Sequence, residues 1–131
     1  MTQLRISEAA ELLGVSDDTV RRMVDSGRLP ATKDDAGRYA VAGADVAAVA
    51  TELAHPAPVG SVTDESARNR MRGLVTRVLK DTVMAQVELQ CGPFRIVSLM
   101  SREAVDELAL EAGSVAVASI KSTNVVIGVS K

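Results

Sequence analysis

Near residue 54 the hydrophobic rhythm of the chain changes. Before it, apolar residues recur at the spacing of helices; after it they alternate, or come in short Val-rich runs, as strands do. Between lies "AHPAPVGSVTDES", where Pro56, Pro58, Gly60 and two serines carry no period and read as a semi-flexible connector. The 131 residues therefore divide into a domain over 1–54, a linker over 55–65 and a second domain over 66–131, and the fold class is α+β. Tyr39 and Phe94 are the only aromatic residues, so both cores must be built from Val, Leu, Ile, Ala and Met. Units of roughly 60 residues built this way are marginal alone and often gain stability by oligomerising.

The first piece opens "LRISEAAELLGVSDDTVRRMVDSGRLPATKDDAGRYAV". Ser7 reads as an N-cap, and Ala9, Ala10, Leu12 and Leu13 supply an apolar stripe. Gly14 breaks that helix where a tight turn needs a positive φ. Ser16 caps a second helix, with Asp17 and Asp18 set favourably against its dipole. Val20, Met23 and Val24 face inward, and Gly27 ends the helix. Two short helices joined through "LGVS" make a helix-turn-helix. "RLPAT", a turn at "KDDAG" and "RYAV" predict a hairpin, and "GADVAAVATELA" a third helix with Val46, Val49 and Leu53 on one face.

The second piece reads as five short strands and one helix. "RMRGLVTRVLK" leads to "VMAQVELQC", where Val83, Ala85, Val87 and Leu89 share a face. "FRIVSLM" follows the "CGP" turn, Ser101 caps the helix "REAVDELAL", and "VAVASI" and "VVIGV" close the set across "KSTN". Five strands and one helix predict a compact barrel of the OB type.

Several function classes are excluded. No apolar run is long enough to cross a bilayer, and no charged-then-apolar leader opens the sequence. Cys91 is the single cysteine and His55 the single histidine, which leaves no disulfide and no thiolate metal site within one chain; a reducing, cytoplasmic setting is expected. Asp106 and Glu107 are the nearest candidates for acid–base work and read better as an exposed helix face, so no enzyme is expected. "IKST" lacks the glycine a phosphate loop places before its lysine, and one Phe is poor provision for stacking single-stranded bases. The net charge of −2 hides an asymmetry: residues 1–52 hold six Lys/Arg against nine Asp/Glu, residues 66–131 nine against six. Acidic and basic halves point to different partners.

Helix-turn-helix, hairpin and closing helix, with "SEAAELLGVSDDTVRRMVDSGRLPA" as the most specific run, resemble the MerR/excisionase type of winged DNA-binding domain over residues 4 to about 53. The second helix would enter a major groove. Thr19, Arg21 and Arg22 are the outward positions assigned to DNA, and Arg28, Lys33 and Arg38, on or near the wing, to phosphates. A single copy would bind weakly, so at least a dimer is implied.

"SARNRMRG" at the head of the barrel, "SREAVDELALEAGS" in its middle and "IKST" before its last segment resemble the Mop (molbindin, or TOBE) family of molybdate-binding domains, across residues 66–131. The resemblance implies molybdate or tungstate held where two subunits meet, in dimers that can assemble as trimers of dimers. It assigns Ser66 a hydroxyl donor, Ala67 and Arg68 backbone N–H groups, Arg68 also its guanidinium, Lys121 an ammonium, Ser122 a backbone N–H and Ser101 a hydroxyl; Asn69 is a turn residue. Ala104 stands where many members carry a hydroxyl. The chemistry is sensible on its own terms: a deprotonated tetrahedral oxyanion only accepts hydrogen bonds, and these groups only need to donate. The expected function is an oxyanion-responsive, DNA-binding transcriptional regulator. The alternative is a cytoplasmic molybdate or tungstate store whose first domain docks to a partner or to DNA architecture.

Overall fold

The computed structural model describes residues 2–60 and 65–129. The chain forms two compact units, Met1–His55 and Pro56–Lys131. Residues 61–64 of the expected linker lie outside the described residues.

The first unit begins with β1 (Gln3–Arg5), which runs directly into α1 (Ile6–Leu13). Ser7 is not the cap. Arg5 takes the extended N-cap conformation and donates its N–H to Glu8 Oε1 at 3.2 Å, so Glu8 supplies the reciprocal half of a capping box. Starting earlier draws Ile6 into the helix, where it is buried with Ala9 and Ala10. Gly14 adopts φ 69°, the left-handed turn that frees the chain for α2 (Asp17–Asp25). Ser16 Oγ accepts from Thr19 N at 3.1 Å and caps α2 as its sequence indicates.

β2 (Ala31–Lys33) and β3 (Tyr39–Ala42) form an antiparallel hairpin, and α3 (Gly43–Leu53) follows. β1 pairs with β3 on its other side, giving the order β1-β3-β2. Three residues are too few to show a period, which is why β1 is silent in the sequence. Ala9, Val20, Leu29 and Val41 lose all solvent contact and, with Met23, Val46 and Val49, form the core. Leu12, expected in that stripe, is 69% exposed: at 3.6 residues per turn it falls outside the face shared by Ala9, Ala10 and Leu13.

The second unit is a four-stranded antiparallel sheet of order β6-β5-β4-β7 with one helix. Its strands are β4 (Asn69–Lys80), β5 (Met84–Cys91), β6 (Phe94–Ser101) and β7 (Val115–Ile120), with α4 (Arg102–Leu108) between the last two. β4 pairs with β7 through Asn69–Leu74 and with β5 through Leu74–Lys80, with a register irregularity between Val75 and Arg77. A strand that hands its hydrogen bonds from one neighbour to another across a bulge curls the sheet. Gly73 permits the close approach of β4 to β5 there: a Cβ at this position would lie 2.4 Å from Gln90 O and 2.6 Å from Cys91 Sγ. The concave face buries Val75, Ala85, Val87, Leu89 and Cys91, closed by Val105 from α4. Val83 does not join that row. It precedes β5 and is 68% exposed, because Asp81 captures the Val83 and Met84 N–H groups in a turn.

The fifth expected strand is absent among the described residues. "VVIGV" follows the 3₁₀ turn Ser122–Asn124 and pairs with no strand. Alternation and β-branching specify that a segment can be a strand; they do not specify whose edge it joins.

Candidate functional site

Antiparallel pairing of β4 with β7 brings two distant pieces of sequence together. Asn69 lies opposite Ile120, and its Nδ2 donates to Ile120 O at 3.1 Å, so Asn69 fastens the corner. Ser66, Ala67 and Arg68 thereby enter the sheet beside Lys121 and Ser122, which leave it. Ala67 is buried; Ser66, Arg68, Lys121 and Ser122 are exposed. Among the described residues, the N–H groups of Ala67, Arg68 and Ser122 donate to no backbone carbonyl. Arg68 and Lys121 take part in no ion pair there either, whereas Arg70 is held by Glu65 through Nε–Oε2 at 3.3 Å and Nη2 to the Glu65 carbonyl at 3.0 Å. The corner thus presents uncommitted donors and no carboxylate.

Ser101 stands elsewhere. It pairs with Met84, at the Lys80 end of β4, and β4 is a 12-residue strand, about 40 Å of contour at ~3.3 Å per residue. Ser101 Oγ accepts from Ala104 N at 3.0 Å to cap α4, and its neighbours in a shallow concavity include Glu103, Asp106 and Glu107. One chain does not bring Ser101 to the Arg68–Lys121 corner. Lys80, which could have offered a charge beside Ser101, is bound to Asp106 at 2.9 Å, and this contact holds the Asp106 carboxyl below the usual carboxylate range. Asp81 is lowered likewise by the Met84 and Val83 N–H groups, and Glu88 by the Arg95 guanidinium on the convex face.

The basic residues of the first unit are mostly spoken for. Arg21 pairs with Asp18 at 3.2 Å, Arg28 with Glu52 at 3.1 Å and Arg38 with Asp34 at 3.5 Å. Thr19 shares its hydroxyl with Ser16 at 2.9 Å as part of the α2 cap. Lys33 sits over the Tyr39 ring, 5.3 Å from its centroid. Arg22, exposed on α2, makes no ion pair among the described residues. Asp34 organises the hairpin: its Oδ1 accepts from Ala36 N and Arg38 N, both at 2.9 Å, and its Oδ2 meets Arg5 Nη1 at 2.7 Å. Those contacts, the Arg38 N–H first, hold its carboxyl below the usual range. Arg5 escapes a sequence reading because its partner is 29 positions away and only the β1–β3 pairing unites them. Among the described residues no cluster of His, Cys, Asp and Glu could hold a metal ion, and no helix is long and apolar enough to cross a membrane.

Fold and site define a class: a helix-turn-helix unit joined to a small curled-sheet unit with a donor-rich corner. The model of the TOBE domain matches residues 65–127 and that of a helix-turn-helix domain matches residues 4–54. Molybdenum-pterin-binding protein 1 of Clostridium pasteurianum is 40% identical over 63 residues, 47% of this chain and 93% of the relative. The probable molybdenum-pterin-binding protein of Haemophilus influenzae is 42% identical over 65 residues, 49% of this chain and 94% of its own. Among solved structures, MopII from Clostridium pasteurianum aligns at 37% identity and TM-score 0.47, covering 50% of this chain and all of that one. The cytoplasmic molybdate-binding protein ModG, solved with molybdate bound, aligns at 40% identity and TM-score 0.49, covering 51% of this chain and 48% of that one. By its second half the chain belongs to the family of Mop molybdenum-pterin-binding proteins, here with a helix-turn-helix domain fused ahead of the TOBE domain.

Proposed function

We propose that the chain is a molybdate- or tungstate-responsive DNA-binding regulator of the cytoplasm, with residues 1–54 as its winged DNA-binding domain, 55–65 as linker and 66–131 as oxyanion domain. The observation that carries the oxyanion half is the Arg68–Lys121 corner, two unpaired cations and free N–H groups with no acceptor among them. Molybdate is fully deprotonated near neutral pH and only accepts, so it loses nothing there. Phosphate near neutral pH keeps a proton on much of its population, which would face a site without an acceptor. Ser66, Ala67, Arg68, Lys121 and Ser122 hold the anion from one chain, and Ser101 joins them from a second copy, because its own chain keeps it at the far end of β4. The relatives named as molybdenum-pterin-binding, and ModG as molybdate-binding, support the same ligand class.

DNA contact rests on the helix-turn-helix match and on α2, where Arg22 projects freely beside Thr19 and Arg21. Arg28, Lys33 and Arg38 reach phosphates by exchanging weak surface partners, each worth under about 1 kcal/mol. An anion bound between copies would favour one subunit arrangement over another and so reset the spacing of the reading helices. No catalytic step belongs to this reading.

Calorimetry of the metal-free chain with sodium molybdate tests the ligand: saturable heat is expected, and its absence sinks the oxyanion assignment. Titrating a labelled promoter fragment with and without molybdate tests regulation. Unchanged DNA affinity at saturating anion returns the protein to the storage reading.

A further inference from the structure

The second unit has two unfilled requirements of the same size. Its sheet, order β6-β5-β4-β7, has free edges on β6 and β7, and the curl of β4 turns these edges toward a common gap that one more strand would close. Its last described segment, Val125–Val129, is extended and apolar and pairs with nothing among the described residues. Val126 is 92%, Ile127 82% and Val129 89% exposed. Five residues span about 17 Å at ~3.3 Å each, close to the six-residue β7. The alternation fits as well: Val125, Ile127 and Val129 share one face and would cover the inward Ala116 and Ala118 of β7 and Ile96 and Met100 of β6, all only partly buried.

The segment's own turn keeps it off its own sheet. A hairpin onto β7 would need Val125 to exchange hydrogen bonds with Ile120, but Val125 N donates instead to Ser122 O and Asn124 N to Lys121 O. We propose that Val125–Val129 of one copy inserts between β6 and β7 of a second copy, and reciprocally, so that each barrel is completed by the other chain. The exchanged strand carries Lys121 and Ser122 at its root, so the exchange fixes the oxyanion corner against the partner. The proposal goes beyond the ligand reading, and its test uses no anion, so either can fail without the other.

The experiment measures the mass in solution of the full chain and of Ile127→Pro, which removes a ladder N–H and cannot sit in a central strand. The unsubstituted chain is expected at twice the single-chain mass or a higher even multiple. The variant is expected at the single-chain mass, with the helical circular dichroism of the first unit retained. A monomeric unsubstituted chain overturns the proposal, as does a variant that stays dimeric. Should the variant not fold, amide exchange on the unsubstituted chain decides. Protection of the 126–129 amides in a dimer supports the exchange; rapid exchange there, in any oligomer, overturns it.

Discussion

The two halves of this chain solve the same problem differently. The first unit, with one short sheet and three helices, buries Leu29, Val20 and Val41 completely and leaves few large apolar side chains in water. The second, with a longer sheet, leaves Leu74, Leu99, Val115, Phe94 and Ile127 more than half exposed. The charges show the same contrast. In the first unit Arg5, Arg21, Arg28 and Arg38 are neutralised by acids of their own unit, while Arg68 and Lys121 of the second have no such partner among the described residues. A unit that satisfies itself is a finished domain. One that leaves a strand, an apolar surface and two cations unanswered is built to be completed by something else.

The comparison can be broken most directly at Gly73. Gly73→Ala forces a methyl group into the Gln90 backbone and should destabilise the second unit by about 3 kcal/mol or more. Amide exchange resolved by residue checks this, and an unchanged β4–β5 ladder refutes the close packing. In the first unit Leu29→Ala removes a fully buried side chain and should cost roughly 2–5 kcal/mol, read from chemical denaturation of the helical signal.

At the corner, Arg68→Ala deletes a charge-assisted donor worth about 1.5–3 kcal/mol, a loss of roughly 10- to 150-fold in molybdate affinity with the sheet intact. Calorimetry giving the parent affinity removes Arg68 from the site. On α2, Arg22→Ala should weaken DNA binding about tenfold and flatten its salt dependence by roughly one ion. Binding isotherms at three salt concentrations measure both effects.

The smallest effect is on pH. Asp81, Glu88 and Asp106 in the second unit, and Asp34 in the first, have carboxyls held below their ordinary range by N–H donors or cations. A depressed carboxylate stabilises the folded state above its unfolded pKa and loses that contribution as the pH falls through its folded pKa. Both units should therefore lose stability below about pH 4. With three such groups against one, the second unit should soften first on acid titration followed by circular dichroism and amide exchange.

Local rules made much of this legible. The Ser16 and Ser101 caps, the Gly14 turn, the β2–β3 hairpin and strands β4 to β7 all follow from periodicity and turn chemistry within a few residues. Where the rules misled, a competing partner lay within or beyond that window. Glu8 took the cap from Ser7, Asp81 drew Val83 out of its strand, and β3 recruited a three-residue β1 that no pattern could announce.

By itself the sequence determined the change from helices to strands near residue 54, the donor-only chemistry around Arg68 and Lys121, and the apolar strand character of Val125–Val129. These are properties of residue type and spacing, which short-range sterics and hydration enforce wherever the chain goes. Only the tertiary structure decided that the pieces flanking β4 and β7 meet at one corner, that Ser101 does not reach it, and that the last apolar segment lies unpaired. Those depend on which edges face each other across dozens of residues, and hydrogen-bond ladders between strands carry no local record of their partner.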